Sequence, residues 1–401
     1  MSRVILGDIA ISQTGPFGSQ LHEEDYVSEG TPIVTVEHLG DINFTHQNLP
    51  FVSEADTKRL SKYILIEGDI VFSRVGSIDR NVYVDKNHEG WMFSGRCIRV
   101  RADKNKVNTR YLSYYFKQNS FKKMMMNLAV GATMPSLNTK IMNSIELDLL
   151  PRENQDKIAN ILSAIDDKIQ INNQINQELE AMVKTLYDYW FVQFDFPDQN
   201  GKPYKSSGGK MVYHPELKRE IPEGWGVESV GNLLDKVTKA EKIENNSIEF
   251  VGRIPVIDQS QKYIAGFTNN KNSLIQPQNG HVIFGDHTRV VKFINFDYAR
   301  GADGTQVLIS NNENISNILL YHMIEDFDLS NYGYARHFKF LKEKLVIVPD
   351  KKISLKFANK ADVIYKKIRN NIFENQELTQ LRDWLLPMLM NGQVKVQDFT
   401  I

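Results

Sequence analysis

The sequence predicts a mixed α/β (α+β) chain built twice: a strand-rich globular domain and a long helix, then a second of each. The two helices are expected to pack as an antiparallel coiled coil, giving a pseudo-twofold internal repeat. Three observations predict this. A helical seam recurs 199 residues downstream, an apolar run ending in proline precedes each helix, and a Gly/Pro/Lys/Ser-rich stretch follows the first helix.

The first domain, residues 1–151, has its clearest strand signal in Ile64 to Val75, which contains Gly68-Asp69-Ile70-Val71-Phe72, and closes with Ile145 to Pro151. Proline lacks the amide hydrogen a ladder needs, so the strand stops there. The second domain, residues 225–350, repeats the plan with Gly280-His281-Val282-Ile283-Phe284 inside Gln278 to Phe284, and with Leu345 to Pro349. Spacing from inner strand to helix differs between the copies by more than ten residues, so the plan is shared while the loops diverge.

The first helix region, residues 152–196, has apolar positions at steps of four and three: Ile158, Leu162, Ile165, Ile169, Leu179, Val183, Leu186 and Trp190. That is a heptad seam. The same register in the second region, residues 351–396, gives Phe357, Ala361, Ile364, Ile368, Leu378, Arg382, Leu385 and Leu389, with Arg382 as the one blemish. Asparagine occupies the two remaining seam positions in both copies: Asn172 and Asn176, then Asn371 and Asn375. Asn176-Gln177-Glu178-Leu179 returns as Asn375-Gln376-Glu377-Leu378, which two unrelated helices would not share.

A helix of about 35 residues extends roughly 50 Å at 1.5 Å per residue, and its single apolar seam needs a partner. An antiparallel pair is the economical solution for a duplicated unit. The four asparagines would meet near the crossing, where a polar layer fixes register at a cost in stability; the alternative is that they face solvent. Residues 197–224, with Gly201-Lys202-Pro203 and Ser206-Ser207-Gly208-Gly209-Lys210, read as an exposed linker.

Composition bounds the class. The 401 residues, 41% hydrophobic and 24% charged, suffice for two or three ordinary domains. The only cysteine, Cys97, can form neither an internal disulfide nor a cysteine-based zinc site, which points to a reducing cytosol. Met1 to Gly15 lacks the apolar centre of a secretion signal, and no segment approaches the ~20 apolar residues of a membrane span, so a soluble cytoplasmic protein is expected. The formal net charge of −1 argues against a chain that grips nucleic acid unaided.

Charge is unevenly distributed, however. Lys104, Lys106, Arg110, Lys117, Lys122, Lys123 and Lys140 lie in a stretch, Lys104 to Ser144, without any Asp or Glu. A weaker basic zone, Asn331 to Lys356, holds Arg336, Lys339, Lys342, Lys344, Lys351, Lys352 and Lys356 against Glu343 and Asp350. Either zone taken alone reads first as ordinary solvated surface charge.

With this organisation in view, several strings resemble the specificity (S) subunits of type I restriction-modification enzymes. They are Leu6-Gly7-Asp8-Ile9, Gly131-Ala132-Thr133-Met134-Pro135-Ser136-Leu137-Asn138, the helix opening Pro151-Arg152-Glu153-Asn154-Gln155, and Ile221-Pro222-Glu223-Gly224-Trp225 at the second domain. The order of domains and helices is similar to that family over essentially the whole chain. Two departures stand out: Ser354 replaces the helix-opening glutamine, and Tyr334-Ala335-Arg336-His337 stands where the first domain has its Gly-x-Thr-x-Pro-Ser string.

The resemblance implies two target-recognition domains, each reading half of a bipartite site in double-stranded DNA through the major groove, with the helices setting the gap. It further implies two flanking methylation (M) subunits and restriction/translocase (R) subunits. S-adenosylmethionine, ATP and Mg would reside on those partners, and the chain itself would be a non-catalytic subunit in a bacterial or archaeal cytoplasm. A tandem-repeat scaffold that never touches DNA is the competing reading, and a self-sufficient modification enzyme is a third.

The residues themselves show no Asn/Asp-Pro-Pro-Tyr/Phe methylation motif, no glycine-rich cofactor loop and no P-loop, so no catalytic residue is assigned. His281 and His287, with Asp286 nearby, lack a convincing ligand set, and no metal site is expected. The candidate DNA contacts follow the shared strand: Ser73, Arg74, Ser77 and Arg80, then Asp286, His287, Thr288 and Arg289. Arginine takes guanine bidentately and the others supply single contacts. A second group is Thr133, Ser136, Asn138 and Lys140, matched by Tyr334, Arg336, His337 and Lys339. For Arg74 and Arg289 a surface salt bridge is the rival role. The run Leu186 to Phe194 is too aromatic for solvent, and either its own chain or a partner subunit covers it.

Overall fold

The computed structural model describes residues 1–129, 135–235, 237, 240–302, 304–333 and 336–394. Its contacts divide the chain into two compact units, Met1–Gln170 with Asn375–Ile401, and Ile171–Glu374. The division falls inside the two long helices, Arg152–Tyr187 and Lys351–Met390, so each helix contributes one half to each unit.

In the first unit a four-stranded antiparallel sheet runs in the order Ala10–Thr14, Cys97–Ala102, Ile70–Ser73, Asn81–Tyr83. The central strand Ile70–Ser73 is buried throughout, because alternate residues enter different cores: Ile70 and Phe72 one, Val71 the other. That is why the run shows no polar alternation. A smaller sheet of Tyr26–Val27, Phe51–Val52, Thr31–Val34 and Met92–Phe93 covers the second core. Cys97 lies within it, and burial pushes its thiol up to about 12. Ser2–Ile5 pairs with Glu146–Leu149, where Leu147 and Leu149 point inward, and this pairing closes the domain just ahead of the helix.

The helix is fastened at that point. Gln155 is buried, its Nε2 donates to the Leu150 carbonyl at 2.8 Å, and its Oε1 accepts from the Asn108 amide at 2.9 Å. Ile158, Ala159 and Leu162 then share a core with Leu386, Leu389 and Met390. Arg382, the blemish in the seam, donates from Nη1 to Asp166 Oδ1 at 3.0 Å.

The second unit repeats several of these features. Val291–Ile294, His281–Gly285 and Thr305–Leu308 form one sheet, and Gly266–Thr268, Ile254–Ile257, Tyr298–Arg300 and Leu274–Ile275 another. The central strand is again split between cores, with Val282 and Phe284 in one and Ile283 in the other. Gly226–Ser229 pairs with Leu345–Val348 ahead of the second helix. The seam asparagines here are interior: Asn371 Nδ2 donates to Asn176 Oδ1 at 2.8 Å, and Asn172 Nδ2 donates to Glu374 Oε2 at 2.8 Å. As the partner on the first helix moves back from 176 to 172, the partner on the second moves forward from 371 to 374, so the helix halves run antiparallel in this unit.

Residues 197–224, expected as an exposed linker, form a folded flap: Met211–His214 pairs with Arg219–Pro222, and Tyr204 stacks on Phe196, which stacks on Trp225 at 4.9 Å. Aromatic stacking overrides the turn-rich composition. The aromatic run after the first helix is covered mainly by its own chain, since Trp190, Phe191 and Phe194 are buried in the core of the second unit, against Phe357 and Trp225.

Candidate nucleic-acid interface

In the first unit, residues 74–80 form the loop of a hairpin between Ile70–Ser73 and Asn81–Tyr83, and the Ser73 amide donates to the Arg80 carbonyl at its neck. This loop is fastened to the segment before the short helix Thr139–Asn143. The Gly76 amide donates to the Pro135 carbonyl at 3.0 Å, and the Leu137 amide donates to the Arg74 carbonyl at 2.9 Å. Two candidate groups, distant in sequence, therefore share one surface. Gly76 has φ +77, which a glycine adopts without strain.

The second unit has a matching arrangement. Residues 286–290 turn tightly between His281–Gly285 and Val291–Ile294, with the Gly285 amide donating to the Val290 carbonyl at 2.8 Å. The His337 amide donates to the Asp286 carbonyl at 2.9 Å, and the Phe338 amide donates to Asp286 Oδ1 at 2.8 Å. In each unit, the first residue beyond the central strand is pinned to the loop that leads into a short helix.

The candidates separate by exposure. Ser77, Arg80, Asn138 and Lys140 are exposed in the first unit, and His287, Thr288, Arg289, Arg336 and Lys339 in the second; Ser136 is half-buried. Ser73 is buried and donates to the Val75 carbonyl, and Asn138 caps the following helix by accepting from the Ile141 amide. Asp286 and His337 are buried and bound to each other's segment. Thr288 Oγ1 donates to the Gln259 carbonyl at 2.6 Å, while Gln259 Oε1 accepts from the His287 amide at 3.1 Å. Gln259 is thus a supporting residue that sequence reasoning missed, and nothing in its local sequence marks it. Thr133 and Tyr334 lie outside the described residues.

Arg74 makes no salt bridge among the described residues. Its guanidinium donates to the Gly95 carbonyl at 3.0 Å and to the Leu137 carbonyl at 3.4 Å, and lies 5.5 Å from the Phe17 ring. Arg289 is exposed at its turn, with the Asp328 carboxylate within electrostatic reach. His281 faces inward: its Nδ1 lies 3.1 Å from the Tyr298 hydroxyl, and burial lowers its pKa to about 4.

The basic stretch Lys104 to Ser144 is not one patch. Lys106 Nζ donates to the Asp8 carbonyl and Lys117 Nζ to the Asp41 carbonyl. Arg110 lies over Tyr83 at 4.5 Å, near Asp167. Lys122 and Lys123 border a common surface cavity with Asp79, and Lys140 is exposed beside the candidate loops. In the second zone Lys342 lies over Phe338, Lys344 over Tyr332, and Lys351 pairs with Glu313. No helix of the described residues is long and apolar enough to cross a membrane.

Two units, each presenting a paired loop surface at the end of a central strand and each joined to a long helix, make a mixed α/β protein. Residues 2–181 match the type I restriction modification DNA specificity domain. The chain is 24% identical over 402 residues to the type I restriction enzyme MjaIX specificity subunit of Methanocaldococcus jannaschii, covering 94% of this chain and 89% of that one. It is 23% identical over 449 residues to the HindI specificity subunit of Haemophilus influenzae, covering 90% and 95%. Its fold is similar to that of the type I restriction-modification S subunit from M. genitalium, with a TM-score of 0.55 at 15% identity, over 100% of this chain and 96% of that one. The chain is thus similar to a DNA specificity domain over residues 2–181 and to type I specificity subunits over most of its length.

Proposed function

We infer that this chain is the DNA sequence-recognition subunit of a type I restriction-modification enzyme. Each unit reads one half of a bipartite site, and the two long helices act as an antiparallel coiled-coil ruler in an internally duplicated chain. The observation that carries this reading is the recurrence, once per unit, of the same loop pair pinned at the end of the same central strand. A duplicated reading surface suits a split target, because two readers held apart match half-sites separated by a set number of base pairs.

The chain performs no chemistry in this reading. Two M subunits carry S-adenosylmethionine and methylate, and R subunits carry ATP and Mg and cleave. The near-neutral net charge suits such sharing, since the partners supply much of the grip on phosphate. The scaffold reading finds no support in the relatives named above, which carry the names of specificity subunits.

The test is to co-express the chain with its M subunits and sequence the methylated positions in host DNA. A motif of two short defined blocks flanking a fixed run of unspecified bases is expected. Methylation confined to an uninterrupted motif would contradict the assignment, as would a complex that binds no DNA.

A further inference from the structure

We propose that Arg80 and Arg96, with Phe17 beside them, are specificity-determining residues of the first unit that read base edges. This rests on the DNA-recognition reading above and deepens it.

Two glycines set the geometry. A Cβ on Gly15 would sit 2.2 Å from the Ser94 carbonyl oxygen, and one on Gly95 would sit 2.3 Å from the Pro16 carbonyl oxygen. Only glycine at both positions lets residues 15–18 lie flat against residues 94–96. Arg74 locks the same region to the hairpin loop: its guanidinium holds the Gly95 carbonyl and covers the Phe17 ring, and its amide donates to the Arg96 carbonyl at 2.8 Å. Three chain segments thus form one platform. Arg74 spends its donors within it and is a positioning residue.

Arg80 and Arg96 stand on the same platform differently. Both are exposed and both line an open cavity of about 830 Å³ with Phe17, whose side chain is 51% exposed. Among the described residues neither guanidinium donates a hydrogen bond or forms an ion pair. Every other arginine of the first unit is engaged. Arg3, Arg59, Arg101, Arg110, Arg152 and Arg382 face carboxylates, while Arg74 and Arg99 hold carbonyls. Two unspent forks on one surface, in a unit whose other arginines are all engaged, mark donors kept for a ligand.

The rest of the lining says which ligand. Glu23 and Glu37 border the same cavity. Carboxylates repel a phosphate backbone, yet they accept from the cytosine amino group while arginine donates to guanine O6 and N7. A half-exposed phenyl ring suits the thymine methyl. Base edges satisfy all three, and phosphate satisfies only the arginines.

The experiment uses the complex with its M subunits, comparing wild type with Arg96→Ala, Arg80→Ala and the charge-preserving Arg96→Lys, by methylome and by competition binding. Thermal melting confirms folding, which exposed, unpaired side chains leave unchanged. Each alanine variant is expected to lose roughly 5- to 150-fold against the cognate site and to relax one base position in one half-site only. Arg96→Lys should lose specificity as well, since an ammonium cannot replace the fork. A uniform loss on all sequences, with the salt dependence reduced by about one counterion, would assign phosphate contacts and overturn the inference. An unchanged motif and affinity would also overturn it while the recognition reading stood. If wild type itself lacked a bipartite motif, that underlying reading would fail, and this inference with it.

Discussion

Arg382 Nη1 meets Asp166 Oδ1 at 3.0 Å in the interior of the first unit, and the Tyr114 hydroxyl donates to the other oxygen of the same carboxylate at 2.5 Å. The position that interrupts the apolar seam therefore carries one arm of a buried ion pair, with side chains 14% and 3% exposed.

Removing one partner strands the other. Asp166→Leu is expected to destabilise by about 1–3 kcal/mol, because the buried Tyr114 hydroxyl loses its acceptor and Arg382 keeps only the exposed Asp383 carboxylate. Asp166→Leu combined with Arg382→Leu should recover most of that loss, since an apolar pair of similar volume suits the seam. Denaturant unfolding of both single variants and the double variant checks this; additive losses would show that the pair does not act as a unit.

Asn176 and Asn371 form the corresponding polar layer of the second unit, where Asn371 Oδ1 has no hydrogen-bond partner among the described residues. Replacing both by Leu is expected to raise stability by about 1–4 kcal/mol while loosening helix register. Melting reports the first effect, and disulfide trapping between engineered cysteine pairs in adjacent registers reports the second.

The ruler proposal makes a metric prediction. Adding one heptad to each long helix lengthens it by about 10 Å, or roughly three base pairs at 3.4 Å each. The methylated motif should keep both half-sites and widen its gap by about that number. A shift in the half-site sequences instead would contradict the division of labour between units and helices.

His281 gives a pH dependence. Burial lowers its folded-state pKa from 6.5 to about 4, so the unfolded chain binds more protons between those values. Its contribution to stability is fully present above about pH 6.5 and declines as pH falls toward 4. Allowing for the partly wet ring, the loss is on the order of 2 kcal/mol. His281→Phe should flatten this part of the stability profile, measured by denaturant unfolding at pH 4.5 and 7; an unchanged slope would sink the assignment.

Much of the helical organisation was legible because apolar periodicity is a local property. The seam from Ile158 to Leu186 and its counterpart from Phe357 to Leu389 lie on the two long helices, and the proline-terminated runs contain the strands Glu146–Leu149 and Leu345–Val348. The local order of the exposed stretch 197–224 is not legible in its composition, because it comes from Phe196, Tyr204 and Trp225 stacking across turn-rich residues. Basic residues clustered in sequence were dispersed by folding, as Arg110 and Lys117 turned to Tyr83 and the Asp41 carbonyl.

The sequence by itself determined the two long helices and the strands ahead of them and carried the resemblance to specificity subunits, since these depend on period, proline placement and strings of neighbouring residues. Tertiary structure alone decided which candidates hold the scaffold and which face solvent. Arg74, Asp286 and His337 turned inward because their partners lie on other segments, while Arg80 and Arg96 stayed outside because no carboxylate or carbonyl of the described chain folded against them.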